Sequence, residues 1–141
     1  MVARRLSQEE SMKLSQIWNS AKTWAVLSAM KKPPMLAYKL FKYEKLVQAE
    51  IEACDVRRQA LIYEIAKTEP PAIISLNEGT PEFTDFLSRF NDFLETESDL
   101  AWSGITLDEL IATLGAEAAN VMAESEILAL EPFFTEPTVT H

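Results

Sequence analysis

Apolar residues recur at steps of three and four along most of this chain, the spacing that lines one face of a helix. The longest such run follows Pro33 and Pro34. Leu36, Leu40, Tyr43, Val47, Ile51, Cys54, Leu61 and Ile65 form its stripe, with Arg58 as the one polar interruption. This pattern predicts a helix over residues 34–67, with Pro34 in the first turn, where a missing N–H costs little. About 33 residues rising about 1.5 Å each would reach roughly 50 Å. The preceding segment carries Leu14, Ile17, Ala21 and Trp24 on one face, widened by Trp18 and Leu27, and predicts a helix over residues 8–30. Ser7 and Glu10 have capping-box spacing at its start. Lys31 and Lys32 suit its C-terminal dipole. With only the two prolines between them, the two helices should pack as an antiparallel hairpin.

The pattern shortens beyond Pro70 and Pro71. Residues 72–76 are a short apolar run that reads as an edge strand, followed by a turn at Asn77, Glu78 and Gly79. Thr80, Pro81 and Glu82 have the chemistry of a helix start. Phe83, Phe86, Leu87, Phe90, Phe93 and Leu94 then give that helix a broad aromatic face. Residues 100–105, with Trp102 and Gly104, read as a second short strand. Thr106 and Glu109 form another capping box before Leu107, Leu110, Ile111 and Leu114, and Gly115 is a natural stop. Ser125 is placed to cap a last helix carrying Ile127, Leu128 and Leu130, ending before Pro132. The fold class is mainly α: a long antiparallel helical hairpin plus a smaller C-terminal helical lobe with a two-stranded ribbon. The divisions are an N-terminal extension (1–11), the hairpin (12–68), an acidic lobe (69–134) and a tail (135–141), one domain overall.

Composition narrows the function classes. At 141 residues the chain is long enough to bury a core. Only three glycines are present, and no phosphate-cradling loop can be read. The lone histidine is the terminal His141, so Ser-His-Asp and Cys-His chemistry lack a fixed base. Cys54 lies on the core stripe and reads as a packed thiol. Cysteine-based zinc sites and an intramolecular disulfide are excluded. Glu95, Glu97 and Asp99 cluster, yet their spacing matches no calcium loop. The expectation is a protein that is not an enzyme and holds no cofactor and no metal. The polar stretch 7–11 does not suit a signal peptide, and charges at Lys13 and Lys22 break any membrane span over 12–30.

Charge is unevenly distributed. Residues 1–68 carry 12 Lys and Arg against 7 Asp and Glu, and residues 69–141 carry 1 against 15, giving +5 and −14. The acidic half cannot be neutralised within one chain, and acids stand beside large apolar residues. Interfaces combine an apolar centre with a polar rim. The predicted partner-binding residues are therefore Glu95, Glu97 and Asp99 as rim, with Trp102, Phe133 and Phe134 as apolar centre. The opposite signal is Lys31, Lys32, Lys39, Lys42 and Lys45 interleaved with Tyr38, Phe41 and Tyr43, an arrangement that nucleic-acid binders use. A soluble hairpin tip explains it more simply.

Several segments, taken in order, carry a resemblance. They are Lys32-Pro33 before Ala37-Tyr38-Lys39; Arg57 with Leu61-Ile62; Phe90-Asn91 leading to Leu94-Glu95-Thr96-Glu97; Ile105-Thr106-Leu107 with Leu110; and residues 128–134, Leu-Ala-Leu-Glu-Pro-Phe-Phe. Together they resemble an uncharacterised family of small proteins encoded by tailed bacteriophages and prophages, near tail and lysis genes. The likeness covers most of residues 12–134 and departs at residues 69–74; Met12 suits an alternative start. No catalytic residue carries over. The resemblance implies a structural or assembly protein, present in multiple copies or as a homo-oligomer, bound to tail, baseplate or head–tail proteins. It would be found in the virion or in host cytoplasm during assembly. The residues themselves point to no membrane partner, and the acidic half would repel nucleic acid, so any such binding would have to stay local. An acidic inhibitor of a host protein, imitating nucleic acid, is the alternative. A small nucleic-acid-binding factor using the basic tip is the weaker one.

Overall fold

The computed structural model describes residues 5–6, 12–70, 75–116, 121–136 and 139–140. The chain is mainly α. Among the described residues, α1 (Leu14–Asn19), α2 (Ala21–Ala29), α3 (Pro34–Ala66), α4 (Pro81–Leu94), α5 (Leu107–Leu114) and α6 (Glu124–Phe134) carry the fold. Two short segments, β1 (Arg5–Leu6) and β2 (Val139–Thr140), pair antiparallel with Arg5 opposite Thr140. The extension and the tail expected from sequence therefore meet.

The first helix divides in two. Ser20 is fully buried, and its hydroxyl donates to the Ile17 carbonyl at 2.7 Å while its N–H donates to the same oxygen at 3.2 Å. A buried serine that bonds back to its own helix tightens the local turn. The helix also starts later than residue 8. Gln16 caps it by accepting from the Lys13 N–H at 2.9 Å, and the expected capping box of Ser7 and Glu10 lies outside the described residues.

α3 is the backbone of the molecule. It ends where Lys67 turns left-handed at φ 56°, and the Thr68 N–H donates to the Tyr63 carbonyl at 3.1 Å. That closure stops the helix before the prolines do. Index rises along α1 and α2 as it falls along α3. Ser28 meets Glu44 at 3.4 Å and Trp24 meets Tyr43 at 5.9 Å between rings, whereas Leu14 and Trp18 lie in the cluster of Cys54 and Leu61. The two arms are thus antiparallel.

Two clusters flank α3. One gathers Trp24, Leu27, Leu40, Tyr43 and Val47 with Leu110, Leu130, Phe133 and Phe134 from the far end of the chain. The other gathers Cys54 and Leu61 with Phe86, Phe90 and Leu94 of α4. The start of α4 is as its chemistry predicts: the Thr80 hydroxyl accepts from the Phe83 N–H at 3.2 Å, with Pro81 in the first turn. In α5, Thr106 accepts from the Glu109 N–H at 3.1 Å, and Gly115 ends the helix at φ +65°.

Three expectations are corrected. Residues 100–105 form a loop, not a strand. Its polar backbone groups bond locally: the Ser98 hydroxyl accepts from the Leu100 N–H at 3.1 Å, the Ser103 hydroxyl accepts from the Ile105 N–H at 3.2 Å, and the Ser103 N–H reaches the Phe133 carbonyl at 2.8 Å. Of the partner strand expected at 72–76, residues 72–74 lie outside the described residues. Second, α6 starts at Glu124, so Ser125 sits inside its first turn; the Glu126 carboxylate instead accepts from the Ala123 N–H at 3.0 Å. Third, α6 continues through Pro132. An interior proline costs about 3 kcal/mol, but fully burying a phenylalanine returns about 1.5–3 kcal/mol, and Phe133 and Phe134 are both 0% exposed.

Candidate protein-binding surface

Residues 95–99 leave α4 and run beside the start of α1. The Leu14 N–H donates to the Thr96 carbonyl at 2.9 Å and the Ser98 N–H donates to the Met12 carbonyl at 2.7 Å, so that the backbones of Lys13 and Glu97 pair as an isolated antiparallel β-bridge. The Ser98 hydroxyl donates to Glu50 on α3 at 2.8 Å. The acidic loop is therefore held on a backbone frame. Glu95, Glu97 and Asp99 all point into solvent. Lys13 Nζ donates to Glu95 Oε2 at 2.7 Å, and that hydrogen bond, with the charges of Glu95 and Glu97, holds the lysine pKa above its ordinary value.

The predicted apolar centre does not assemble beside this rim. Trp102 is half-buried on the adjacent loop. Phe133 and Phe134 have no surface to offer a partner. They pack on Trp24 at 5.3 and 5.8 Å between ring centres, and Phe133 also meets Tyr43 at 6.3 Å. The aromatic pair at the end of a helix reads in sequence as a groove and is core in the fold.

The acidic surface itself is as expected from composition. Every described carboxylate from Glu78 to Glu136 is exposed except the half-buried Glu126. Arg89, the single basic residue after position 68, is tied to Glu64 at 3.0 Å and to Asp85 at 3.7 Å.

At the tip, Lys42 lies over the Tyr38 ring at 5.4 Å and Lys45 over the Phe41 ring at 4.7 Å. Tyr43 is buried and donates its hydroxyl to the Ala101 carbonyl at 2.6 Å. The aromatics thus divide between core and flank. A cleft of about 230 Å³ opens here between Trp24, Leu27, Leu40 and Phe41, edged by Ser28 and Glu44. Lys32 at its rim donates to the carbonyls of Leu27, Ser28 and Met30, which commits its ammonium to the end of α2. Burial and the Glu50 charge raise the Cys54 thiol, which is 1% exposed and so unsuited to nucleophilic work. Among the described residues, no group of His, Cys, Asp and Glu is able to hold a metal and no helix is long and apolar enough to cross a membrane.

One feature escaped the sequence reading. α3 carries apolar residues away from its core stripe, and Met35, Leu46 and Val56 are 69%, 56% and 69% exposed. The available signal was a recurrence every seven residues, masked by the stronger core stripe. Comparison with known proteins finds no matching family model, curated protein or solved structure.

Proposed function

We propose that the chain is a non-enzymatic assembly protein of a tailed bacteriophage, bound in multiple copies to tail, baseplate or head–tail proteins. The observation that carries the protein-binding part is the acidic loop 95–99, anchored by backbone bonds to residues 12–14 while its carboxylates stay exposed. A loop held in place presents a fixed pattern of charge, and fixed rim charge steers and orients a protein partner. The basic tip on the first turns of α3 offers the opposite sign, so neighbouring proteins of either charge can be engaged. The phage part rests on the ordered resemblance of residues 12–134. Quantitative mass spectrometry of purified virions of the encoding phage tests it. Detection at many copies per particle supports the reading, and clean absence removes it.

The second reading, an acidic inhibitor of a host nucleic-acid-binding protein, is favoured by the exposed carboxylates alone. It requires nothing of the basic tip. Reversing Lys39, Lys42 and Lys45 to glutamate separates the two, because inhibition would survive and assembly would not.

A further inference from the structure

The exposed face of α3 has an internal order. Met35, Lys42, Ala49 and Val56 recur every seven residues, and Lys39, Leu46, Ala53 and Ala60 repeat the same period offset by four. All eight are exposed. A seven-residue repeat of alternating three and four steps is the seam of one helix packed along another. Among the described residues nothing covers this seam.

Size divides along it. Its first half holds the long side chains of Met35, Lys39, Lys42 and Leu46. Its second half holds Ala49, Ala53, Val56 and Ala60. Two copies of α3 laid antiparallel and centred between residues 47 and 48 form four layers, each repeated by symmetry. Met35 faces Ala60, Lys39 faces Val56, Lys42 faces Ala53, and Leu46 faces Ala49. Every layer sets a long side chain against a small one, the condition for facing surfaces to interdigitate. The lysines can lay their methylene stems on the small residues and carry their ammonium groups outward. A parallel pairing in register would set Lys39 on Lys39, Lys42 on Lys42, and alanine on alanine.

Charge divides the same way. The first half of α3 has Lys39, Lys42 and Lys45 against Glu44; the second has Glu50, Glu52, Asp55 and Glu64 against Arg57 and Arg58. Antiparallel docking lays the basic half on the acidic half. Lys45 and Glu52 flank the seam on one side and come opposite each other across the two-fold axis. The seam from Met35 to Ala60 spans about 38 Å, and the same patch serves both partners, as an isologous two-fold contact requires.

We propose that a second copy of this chain docks antiparallel along this face of α3. The proposal deepens the assembly reading by naming one partner, yet it stands or falls on solution behaviour, whereas the virion reading stands or falls on particle composition. Sedimentation equilibrium of the full chain over the micromolar to millimolar range should show a concentration-dependent dimer. Ala53→Lys sets an ammonium group against Lys42 of the second copy in two symmetry-related layers and should weaken that dimer by about tenfold or more. Because Ala53 is exposed, the far-ultraviolet circular dichroism of the variant at low concentration should be unchanged. Direction is read by cross-linking. A mixture of Leu46→Cys and Ala49→Cys chains should form an intermolecular disulfide faster than either alone, with the buried Cys54 silent. A chain monomeric throughout, an Ala53→Lys dimer as tight as the parent, or fastest cross-linking by Ala49→Cys alone would each overturn the proposal.

Discussion

The two ends of α3 are packed by different means. At the end near the tip, Trp24, Tyr43, Phe133 and Phe134 form a closed aromatic cluster in which Trp24, Phe133 and Phe134 are at most 1% exposed. Its members come from α2, α3 and α6, so residues more than a hundred positions apart must meet. At the far end, Leu61 and Cys54 are covered by Phe86 and Phe90, which retain 8% and 6% exposure and stack at 5.6 Å. That end is built by α4, which follows α3 closely. Trp18 closes it edge-on to Phe90 at 5.4 Å. The near end is thus a deep core of distant parts, and the far end is a shallower one of neighbouring parts. A fully enclosed site cannot relax when a side chain is removed, and a site open at its rim can.

The largest expected effect follows from that difference. Phe133→Ala should lower unfolding stability by about 3–5 kcal/mol, read by urea denaturation. Leu61→Ala at the far end should cost about 2–3 kcal/mol, in the lower part of the range for a buried leucine. The two substitutions also remove different volumes, so the ratio to the lost apolar area is the quantity to compare. A far end that loses more per area than the near end would invert the comparison.

The same contrast explains what was legible in the sequence. The far end was readable because α4 is locally explicit: a threonine cap, a proline in the first turn, and phenylalanines at helical spacing. The extent of α3 was readable for the same reason, to within one residue. The near end was not. Phe133 and Phe134 follow Pro132, and a local rule ends the helix there; only burial against Trp24, set by tertiary packing, carries it on. The break at Ser20 was equally hidden, since a serine on a polar-looking position gives no sign that its hydroxyl will be buried. Residues 100–105 have strand-like composition but no ladder partner among the described residues, and Gly104 at φ +81° turns them out of extended form. At the candidate surface, the exposure of Glu95, Glu97 and Asp99 followed from charge, whereas the fate of the neighbouring aromatics depended on a core that no local pattern reveals.

A smaller effect probes how the near end is tied to the loop above it. The Tyr43 hydroxyl donates to the Ala101 carbonyl at 2.6 Å, and burial pushes the phenol well above its ordinary pKa. Tyr43→Phe removes one hydrogen bond whose acceptor lies on an exposed residue, so the cost should be about 1 kcal/mol at neutral pH. The pH dependence has a definite sign. With the folded pKa raised, the contribution is fully present below the unfolded value near about 10 and is lost as pH rises from there towards the folded value. Parent and variant should therefore converge in stability between roughly pH 10 and 11, where unfolded tyrosine ionises. A gap that holds constant through that window would mean that the phenol is not buried as described.

The smallest effect belongs to the acidic loop, and it separates a structural clasp from a surface kept for a partner. Lys13 and Glu95 form a 2.7 Å ion pair, but their side chains are 49% and 62% exposed. Exposed pairs are weakened by water and by the entropy of holding two long side chains. The loop has a second anchorage that no side-chain charge supplies, in the backbone bonds from Leu14 to Thr96 and from Ser98 to Met12. Glu95→Gln should therefore shift the melting temperature less than Tyr43→Phe does. The shift should fade as added salt shortens the screening length from about 10 Å at 0.1 M to about 3 Å at 1 M. Its pH sign follows from the raised lysine: whatever the pair contributes is present below the ordinary lysine pKa and is lost as pH rises through the folded value. Thermal melts at low and high salt decide the matter. A salt-insensitive loss as large as that of Tyr43→Phe would make the pair a clasp for the loop. A small, screened shift leaves the carboxylates of Glu95, Glu97 and Asp99 unspent on folding, as the proposed contact with another protein requires of the loop that the backbone bonds hold in place.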